Sequence, residues 1–222
     1  MSFIAKGIQK PKNPTISILQ PFNILEIQYY YKDGRNIQMI KEVDINQSFC
    51  SIRNNLSSIL FGGAILSISN RILEPYYEND IIFRLISKSL GNLGSNKNDN
   101  KKYFLFFLFH FVKQLGFMPN ISQCHLCNRK LRSNTFLDIR SHLLICEACN
   151  ILSSNNNSIN RQMLDCIILI NHTFIDKIKD IVIKDDMLQR SYIFLRDFIR
   201  YHVKKIESIP SFKIIDGIYH VT

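Results

Sequence analysis

Hydrophobic and polar residues near the N-terminus follow the pattern of short β-strands. Residues 24–31 are rich in β-branched and aromatic side chains, and residues 36–43 alternate in part between apolar and polar. The Asp33-Gly34 pair between these segments is a strong hairpin signal, because glycine accepts the positive φ of a tight turn. Shorter strands are predicted at residues 2–8 and 15–20. Several short strands in a small domain favour a β-barrel, with an OB-type barrel as one option.

From about residue 48 onward, apolar residues recur at the three- and four-residue spacing that is typical of helices. Gly62-Gly63 weakens the first pattern, so a break or a close helix contact is expected there. Gly91 and Gly94 should end the second helix, and Gly116 suits the C′ position after the third. Helical patterns are predicted at residues 48–68, 81–90, 101–115, 159–173, 174–183 and 186–206. The third is apolar nearly all round and should be central.

These patterns predict an α+β protein with two parts. A small β-domain occupies residues 1–46, and an all-helical domain occupies residues 47–222. A segment rich in cysteine, residues 121–150, interrupts the helical domain as an insertion.

The inserted segment carries two CxxC pairs whose separation fits a zinc site. Two turns of this kind bring four thiolates to one point and can close a tetrahedron around Zn²⁺. Asn128 and Asn150 follow the two pairs and tolerate tight-turn backbone. Because four thiolates leave no position for water, the sequence predicts one structural zinc ion. Its ligands would be Cys124, Cys127, Cys146 and Cys149. The alternative, four reduced core thiols, is disfavoured by the two matched pairs.

The charge of the chain suggests a class of binding partner. The chain has 222 residues and a formal net charge of +10, with 28 Lys and Arg against 18 Asp and Glu. A polyanion such as nucleic acid is the first partner to consider, and an anionic membrane the second, although many basic proteins bind neither. Residues 1–12 lack the apolar core of a signal peptide. The most apolar run, residues 103–112, is about half the ~20 residues of a membrane span, so no membrane association is expected.

Motifs of bond-breaking chemistry are missing from the sequence. It contains no HExxH, GxSxG, Walker A or GxGxxG, and no carboxylate cluster of the two-metal nuclease type. His110 and His172 lie in apolar helical patterns and are interpreted as packed side chains. Cys50 and Cys166 are interpreted as small buried residues in a reducing cytosol. We therefore expect a protein that is not an enzyme.

Four segments, taken in order, resemble the RecO family of recombination mediators. Residues 5–13 read AKGIQKPKN, which is similar to the family's A-K/R-G-x-R/K-R/K-P-K-S. Residues 19–26 read LQPFNILE, which is similar to L-x-P-F-x-x-L/V-E, and residues 115–124 resemble G-x-x-P-x-L/I-x-x-C. Residues 206–208 resemble the short Leu/Ile-x-Ser segment after the family's last helix. The order and spacing of these segments, over nearly the whole chain, make the resemblance specific.

The resemblance implies an N-terminal OB fold, a helical body and a zinc finger inserted in that body. It also implies that the protein binds single- and double-stranded DNA and anneals complementary strands. RecO-like proteins engage RecR and single-stranded DNA-binding protein so that RecA can be loaded at gaps. This work belongs to the bacterial cytoplasm, at the nucleoid, and uses no bond-breaking chemistry.

Two departures from the family pattern affect the expected shape. Family members usually begin about two strands earlier, so the barrel is expected to be short of its first strands or the start codon to be placed late. The Gly-Gly often found before the second CxxC is replaced around Arg140-Ser141, so the finger loop is expected to differ in shape.

Basic residues in two places are the candidate DNA contacts. The N-terminal ones lie on a strand and a proline-constrained loop, where successive lysines can track a phosphate backbone. The others lie on the zinc module, where a solvated turn is an equal alternative. The candidates are Lys6, Lys10, Lys12, Arg35, Arg129, Lys130 and Arg132. One or two of Phe22, Tyr29, Tyr30 and Tyr31 could stack bases, although most are expected to fill the barrel.

The last predicted helix is the candidate surface for the acidic, Phe-ended tail of single-stranded DNA-binding protein. It offers Arg190, Arg200 and Lys204 beside its apolar face, although a solvated face is the favoured alternative for each residue.

Two other classes of function stay open on the residues alone. A zinc-stabilised protein-interaction adaptor, or transcription-associated module, would bind DNA weakly and without salt dependence. A zinc hydrolase or nuclease would cleave its substrate in a metal-dependent way, but a closed thiolate site argues against it. A mediator should bind DNA with weak sequence preference and strong salt dependence.

Overall fold

The computed structural model describes most of the chain. It covers residues 2–5, 15–74, 78–95, 99–118, 120–131, 134–138, 141–151, 157–159, 161–202 and 210–219. The architecture is mixed α and β, with two small sheets and a helical body. Within the described residues, no helix combines the length and apolarity needed to cross a membrane.

The N-terminal sheet has three strands in the order β1-β3-β2. They are β1 (Ser2–Ile4), β2 (Asn23–Tyr30) and β3 (Ile37–Ser48). The predicted hairpin is confirmed, because β2 and β3 pair antiparallel and Gly34 in their turn has a φ of 71°. Strand β1 pairs with β3 in parallel.

The predicted strand at residues 15–20 is wrong, because Thr15–Ile18 forms the short helix α1. The amide of Asn23 donates to the backbone oxygens of Ser17 at 3.4 Å and Ile18 at 2.9 Å. These bonds satisfy carbonyls at the end of the helical turn that no helical residue reaches. The Asn23 side chain thus stabilises this helical turn, although isoleucine residues favour β-strands.

The closed OB-type barrel is not confirmed. The described strands form an open sheet of three, and an OB-type barrel closes with five. Register shifts between Ile24 and Leu25, and between Gln28 and Tyr29, bend the hairpin at two places. Strand β3 continues to Ser48, two residues beyond the predicted end of the β-domain at residue 46.

The helical body follows a 3₁₀ turn at Cys50–Asn54. Its helices α2, α3 and α4 precede the inserted module, which contains the short α5, and α6, α7 and α8 follow it. Their bounds are Leu56–Ile72, Asp80–Ser95, Asn100–Gln114, Glu147–Asn150, Arg161–His172, Asp185–His202 and Pro210–Ile218.

Helix α4 lies at the centre of the body, as its pattern predicts. Residues 103–109, 111 and 112 are all buried. The helix contacts α2, α3, α6 and α7. Burial of each large side chain stabilises the fold by roughly 1.5–3 kcal/mol relative to its exposure. The buried run of α4 therefore contributes strongly to core stability.

The predicted role of Gly116 at the end of α4 is confirmed. Its φ is 77°, and its N–H donates to the carbonyl of Lys113 at 3.1 Å. The N–H of Phe117 donates to the carbonyl of Val112 at 3.2 Å. These two bonds form a Schellman motif, which needs a left-handed residue at C′.

Gly62 of α2 and Gly94 of α3 serve close packing. Helix α2 is unbroken, and a β-carbon at Gly62 would lie 2.9 Å from the Phe22 ring. Helix α3 runs through Gly91 and Gly94 to Ser95, so their predicted role as the end of this helix is wrong. A β-carbon at Gly94 would collide with the hydroxyl of Ser51 in the 3₁₀ turn. Glycine at position 94 lets α3 and the 3₁₀ turn come into contact. The gain from this packing outweighs the poor helix propensity of glycine.

The C-terminal part differs from the predicted pattern in two ways. Residues predicted as a helix at 174–183 form a 3₁₀ helix at Ile175–Asp180, followed by extended chain. Helix α8 has no counterpart in the prediction. It packs on α2 and buries Phe212, Ile215 and Tyr219.

Polar contacts fix α8 to its neighbours. The Asp216 carboxylate accepts hydrogen bonds from the hydroxyl of Tyr192 at 2.7 Å and from Arg196 at 2.8 Å. Tyr219 stacks on Tyr192 at 4.3 Å, and its hydroxyl donates to the carbonyl of Lys101. Helix α8 is therefore part of the core of the helical body.

Candidate metal centre and nucleic-acid surface

The first CxxC turn is shaped by its own backbone. The N–H of Cys124 donates to the carbonyl of Arg129 at 2.8 Å, and the N–H of Asn128 donates to the carbonyl of Cys124 at 2.9 Å. Asn128 has a φ of 58°, a conformation that asparagine tolerates better than most residues. The turn is joined to the second pair by the N–H of His125, which donates to Leu144.

The second CxxC pair stands where a strand turns into a short helix. A three-stranded antiparallel sheet, in the order β5-β4-β6, carries it. The strands are β4 (Thr135–Asp138), β5 (Leu143–Cys146) and β6 (Asn157–Ile159). Cys146 ends β5, and Cys149 lies in α5, which follows at once.

The four sulfur atoms meet in one cluster. All four Sγ atoms lie within 4.8 Å of one another, and those of Cys127 and Cys146 are 3.6 Å apart. Zn–S bonds of about 2.3 Å in a tetrahedron would separate sulfurs by about 3.8 Å. The donor set and its spacing therefore fit a zinc ion held by Cys124, Cys127, Cys146 and Cys149, and the cluster could hold such an ion.

The protein environment divides the protons of this cluster unevenly. Burial opposes ionisation of Cys124, but backbone hydrogen bonds from Cys146, Cys127 and Leu126 lower the pKa of its thiol to about 6. Hydrogen bonding to Cys127, followed by burial, raises the pKa of Cys149 to about 12. These hydrogen bonds favour a thiolate in the cluster, and a thiophilic cation would displace the remaining protons.

The cysteine cluster found among the described residues includes neither of the two nearby histidines. His125 is exposed on the first turn. His142, with a φ of 52°, stacks on Tyr201 of α7 at 4.5 Å. Nε2 of His202 lies 3.1 Å from the carbonyl oxygen of Ser141. These contacts dock the cysteine module on the end of α7.

The other two cysteines differ from each other. Cys166 is buried in α6, as predicted, and burial raises the pKa of its thiol. Cys50 is exposed at the start of the 3₁₀ turn, so its prediction as a buried residue is wrong. The α-helix begins only at Leu56, after the 3₁₀ turn that contains Cys50.

The tyrosines of the hairpin are exposed, contrary to the expectation that most would fill a barrel. Tyr29, Tyr30 and Tyr31 are 37%, 55% and 68% exposed, whereas Phe22 is buried. Tyr29 makes an edge contact with Phe3, with ring centres 5.1 Å apart. An open sheet has no interior for these rings, so they lie on its surface.

An apolar row crosses the three strands beside these rings. Tyr30 and Ile4 both pair in register with Met39, which places the three side chains on one face. They are 55%, 49% and 37% exposed. Arg35, in the turn that follows β2, is also exposed. The sheet therefore presents apolar and aromatic surface next to a positive charge.

The described basic candidates of the zinc module, Arg129 and Lys130, are both exposed. They follow the first CxxC turn, which fixes the backbone that carries them. Four further DNA candidates and one partner candidate lie outside the described residues. The DNA candidates are Lys6, Lys10, Lys12 and Arg132, and the partner candidate is Lys204.

Candidate partner residues on the last predicted helix have unequal surroundings. Arg190 is exposed on α7. Arg200 lies over the Phe212 ring at 5.5 Å, and its Nη2 is 3.5 Å from an oxygen of Asp216. Helix α8 thus already offers Arg200 an aromatic ring and a carboxylate. Sequence reasoning missed this helix, although Phe212, Ile215 and Tyr219 follow helical spacing after Pro210.

His110 and His172 also differ from each other. The His110 ring packs at a tilt against that of Phe106, with ring centres 4.1 Å apart, and its Nε2 points at the carbonyl of Ile170. Its prediction as a packed side chain is therefore confirmed. Burial lowers the pKa of His110 below its ordinary value of 6.5. His172, at the end of α6, is exposed, so its prediction as a packed side chain is wrong.

Two family models match the chain. The model described as recombination protein O N terminal matches residues 1–49, and the model described as recombination protein O C terminal matches residues 53–208.

Curated relatives named DNA repair protein RecO are similar to this chain. That of Syntrophobacter fumaroxidans is 30% identical over 135 residues, which is 60% of this chain and 52% of the relative. That of Prosthecochloris aestuarii is 20% identical over 98% of this chain and 86% of the relative. That of Leptospira biflexa is 22% identical over 70% of this chain and 63% of the relative. The matched part of the chain thus spans less than two thirds of the length of the Syntrophobacter and Leptospira relatives. It spans most of the length of the Prosthecochloris relative.

Proposed function

The chain belongs to the recombination protein O family, and from that membership we propose that it is a DNA-binding recombination mediator in DNA repair. In this role it anneals complementary strands and, together with RecR, helps to load RecA on DNA coated by single-stranded DNA-binding protein. The match of both family models, over residues 1–49 and 53–208, carries the proposal. We further propose that it is not an enzyme and that it acts in the cytoplasm, at the nucleoid.

The open face of the N-terminal sheet is the proposed platform for single-stranded DNA. Exposed Tyr30 offers a ring on this face, and Met39 and Ile4 extend the apolar surface beside it. Exposed Tyr31, directly after the end of β2, offers a second ring on which a base can stack. Each stacked base contributes roughly 1–3 kcal/mol, with little regard to its identity. Arg35, in the adjacent turn, can neutralise a phosphate. We propose that this sheet belongs to an OB-type fold.

The zinc module is proposed as a second contact with the DNA backbone. A zinc ion on the four cysteines would hold the first turn rigid, so that Arg129 and Lys130 keep a fixed position. With no open coordination site, this ion would be structural. Lys6, Lys10, Lys12 and Arg132 remain predicted DNA contacts.

Annealing follows from charge neutralisation on one basic protein. Two strands repel each other through their phosphates, and the net charge of +10 lowers that repulsion when both are bound. Counterions released from the strands make such binding fall steeply with salt. Little sequence preference is expected, because phosphates and base rings are common to all sequences.

The acidic tail of single-stranded DNA-binding protein is proposed to meet the basic side of α7. Exposed Arg190 can take a tail carboxylate directly. Arg200 would have to exchange its contact with Asp216 for the tail, so we propose a smaller contribution from it. Lys204 remains a predicted contact.

Fluorescence anisotropy with a labelled oligothymidylate tests the proposed platform. The paired substitution Tyr30→Ala and Tyr31→Ala should weaken binding by about tenfold or more, since each lost stacking contact costs roughly 1–3 kcal/mol. Phe83→Ala is the matched control, because Phe83 is also an exposed ring, at 54%, but lies on α3. Equal affinities for all three proteins, with no salt dependence, would favour the adaptor alternative.

A further inference from the structure

One face of helix α2 is apolar and open to solvent. Leu56, Ile59, Gly63, Leu66 and Asn70 follow one another at spacings of three and four residues, which places them on one side of the helix. The three large apolar side chains are 70%, 36% and 37% exposed, in chain order. Helix α2 packs on α3, α4 and α8 through its other side. We call these five positions the α2 stripe.

The α2 stripe carries no charge, although the chain as a whole is strongly basic. Residues 54–70 contain no Asp, Glu, Lys or Arg, whereas such residues make up 21% of the chain. A helix face that meets only water usually carries charged and polar side chains. Exposed apolar side chains without charge are instead typical of the centre of a protein–protein interface.

Gly63, at the middle of the stripe, has open space beside it. A β-carbon at this position would meet nothing within 4 Å, whereas one at Gly62 would meet the Phe22 ring at 2.9 Å. Glycine weakens a helix relative to alanine, and the packing of the described residues gives no reason for it at position 63. A residue without a side chain does let a second backbone come close. Gly63 therefore points to a partner that packs directly on the backbone of α2.

We propose that the α2 stripe is the interface of a homodimer, in which two copies of α2 cross antiparallel at Gly63. A two-fold axis through this residue places Ile59 of each copy opposite Leu66 of the other, and Leu56 opposite Asn70. The closest approach of the two backbones then falls where neither copy has a side chain. The apolar side chains of the stripe lose their exposure to water, which drives the association.

A second copy fits the stripe better than a charged partner does. Two chains of net charge +10 repel each other, so they can meet closely only where neither presents a charge. An acidic protein finds no cation on the stripe with which to pair. Apolar side chains lie on both sides of Gly63, as a contact between identical surfaces requires. Because one helix face forms a small interface, the dimer should be weak and should depend on protein concentration.

A dimer of this kind would carry two N-terminal sheets. Phe22 packs beside Gly62 and directly precedes β2, so each copy of α2 is joined to its own sheet. Each sheet is the proposed platform for one DNA strand, so the dimer would hold two strands at once. This consequence rests on the proposed function, but the dimer itself does not.

Sedimentation velocity of the full, zinc-loaded chain without DNA tests the dimer directly. From low to high micromolar concentration, the mass should rise from the 26.0 kDa of one chain towards twice that value. Leu66→Glu should weaken the dimer by about tenfold or more, because it buries an unpaired charge opposite Ile59 of the other copy. It also lowers the net charge of each chain, so general repulsion cannot explain the loss. Val182→Glu is the matched control, because Val182 is 95% exposed in the segment before α7, and it should dimerise normally.

Gly63→Ala separates dimerisation from folding. A methyl group at the crossing point should hold the two backbones apart and weaken the dimer several-fold, while the helix itself becomes more stable. Circular dichroism checks that this variant and Leu66→Glu keep the fold of the unsubstituted chain.

The proposal fails if the chain sediments as a monomer at every concentration. It also fails if Leu66→Glu and Val182→Glu dimerise equally well, since the dimer would then use another face. Loss of RecR binding by Leu66→Glu, in a chain that stays monomeric, would assign the stripe to that partner and overturn the homodimer. A dimer that responds to these variants as expected but does not anneal strands would support the homodimer and contradict the proposed function.

Discussion

Two adjacent glycines of α2 provide a matched test of how the N-terminal sheet joins the helical body. A β-carbon at Gly62 would lie 2.9 Å from Cε1 and 3.4 Å from Cζ of the Phe22 ring, and 3.5 Å from Leu90. A β-carbon at Gly63 would meet nothing within 4 Å. Both positions lie inside the same helix, so the gain in helix propensity from alanine is the same.

The surroundings of Phe22 decide how much the ring can yield. It is buried, and its backbone has a φ of 69°, which is costly for a bulky residue. Its carbonyl accepts the N–H of Phe49 at 2.9 Å, and Arg53 holds the carbonyl of Pro21 at 2.6 Å. These two hydrogen bonds hold the backbone of Phe22 in place. Its buried ring therefore cannot move away from α2 without a cost in free energy.

The expected effects therefore have opposite signs. Gly63→Ala should raise the free energy of unfolding by about 0.5–1 kcal/mol. Gly62→Ala gains the same amount but overpacks the junction, at a cost of about 1–3 kcal/mol, so the net effect should be destabilising. At a urea dependence of about 2 kcal/mol per molar, the two midpoints should differ by roughly 0.5–1.5 M. Equal midpoints would refute the close packing of Phe22 against α2.

Two further predictions concern the metal centre and a buried histidine. A four-thiolate site should bind roughly one zinc ion per chain, and replacing both Cys127 and Cys149 by serine should abolish this binding. In the same dye-release assay, the control Cys50→Ser should keep its zinc. Zinc retained by the double variant would contradict the assignment. Because burial lowers the pKa of His110, its stabilising contribution should be complete above pH 6.5 and lost as pH falls from 6.5 through the folded pKa. Urea unfolding at about pH 7.5 and about pH 5.5 measures the free energy of unfolding that is lost between the two. This loss should be smaller for His110→Gln than for the unsubstituted chain or the exposed control His125→Gln. Equal losses would contradict the prediction.

Local signals in the sequence predicted much of the fold and the metal centre. The helical periodicity of α4 and the Asp33-Gly34 hairpin depend on neighbours a few residues apart, so they are visible without the fold. The paired CxxC motifs are also local, and the structure brings their sulfurs together. The left-handed residues Asn128 and Gly116 stand where their sequence positions indicate tight turns.

Features that depend on distant contacts could not be predicted in this way. Gly94 lies inside α3 because a β-carbon at this position would collide with Ser51. No residue near Gly94 in the sequence reveals this contact. The exposure of Tyr30 follows from an open sheet, and strand closure is a property of the whole domain. A cleft on the helical body is lined by residues of α3, α4 and α6 and of the segment that follows α6. No single periodic pattern in the sequence marks such a set of residues.

Strand annealing tests the central claim most directly. Two complementary labelled oligonucleotides, one coated with single-stranded DNA-binding protein, are mixed with the zinc-loaded chain at about 50 mM and about 200 mM salt. We predict faster annealing that weakens at the higher salt, needs no nucleotide and cleaves no strand, and that slows with Tyr30→Ala and Tyr31→Ala but not with Phe83→Ala. No acceleration by the folded, zinc-loaded protein at the lower salt would contradict its proposed role as a recombination mediator.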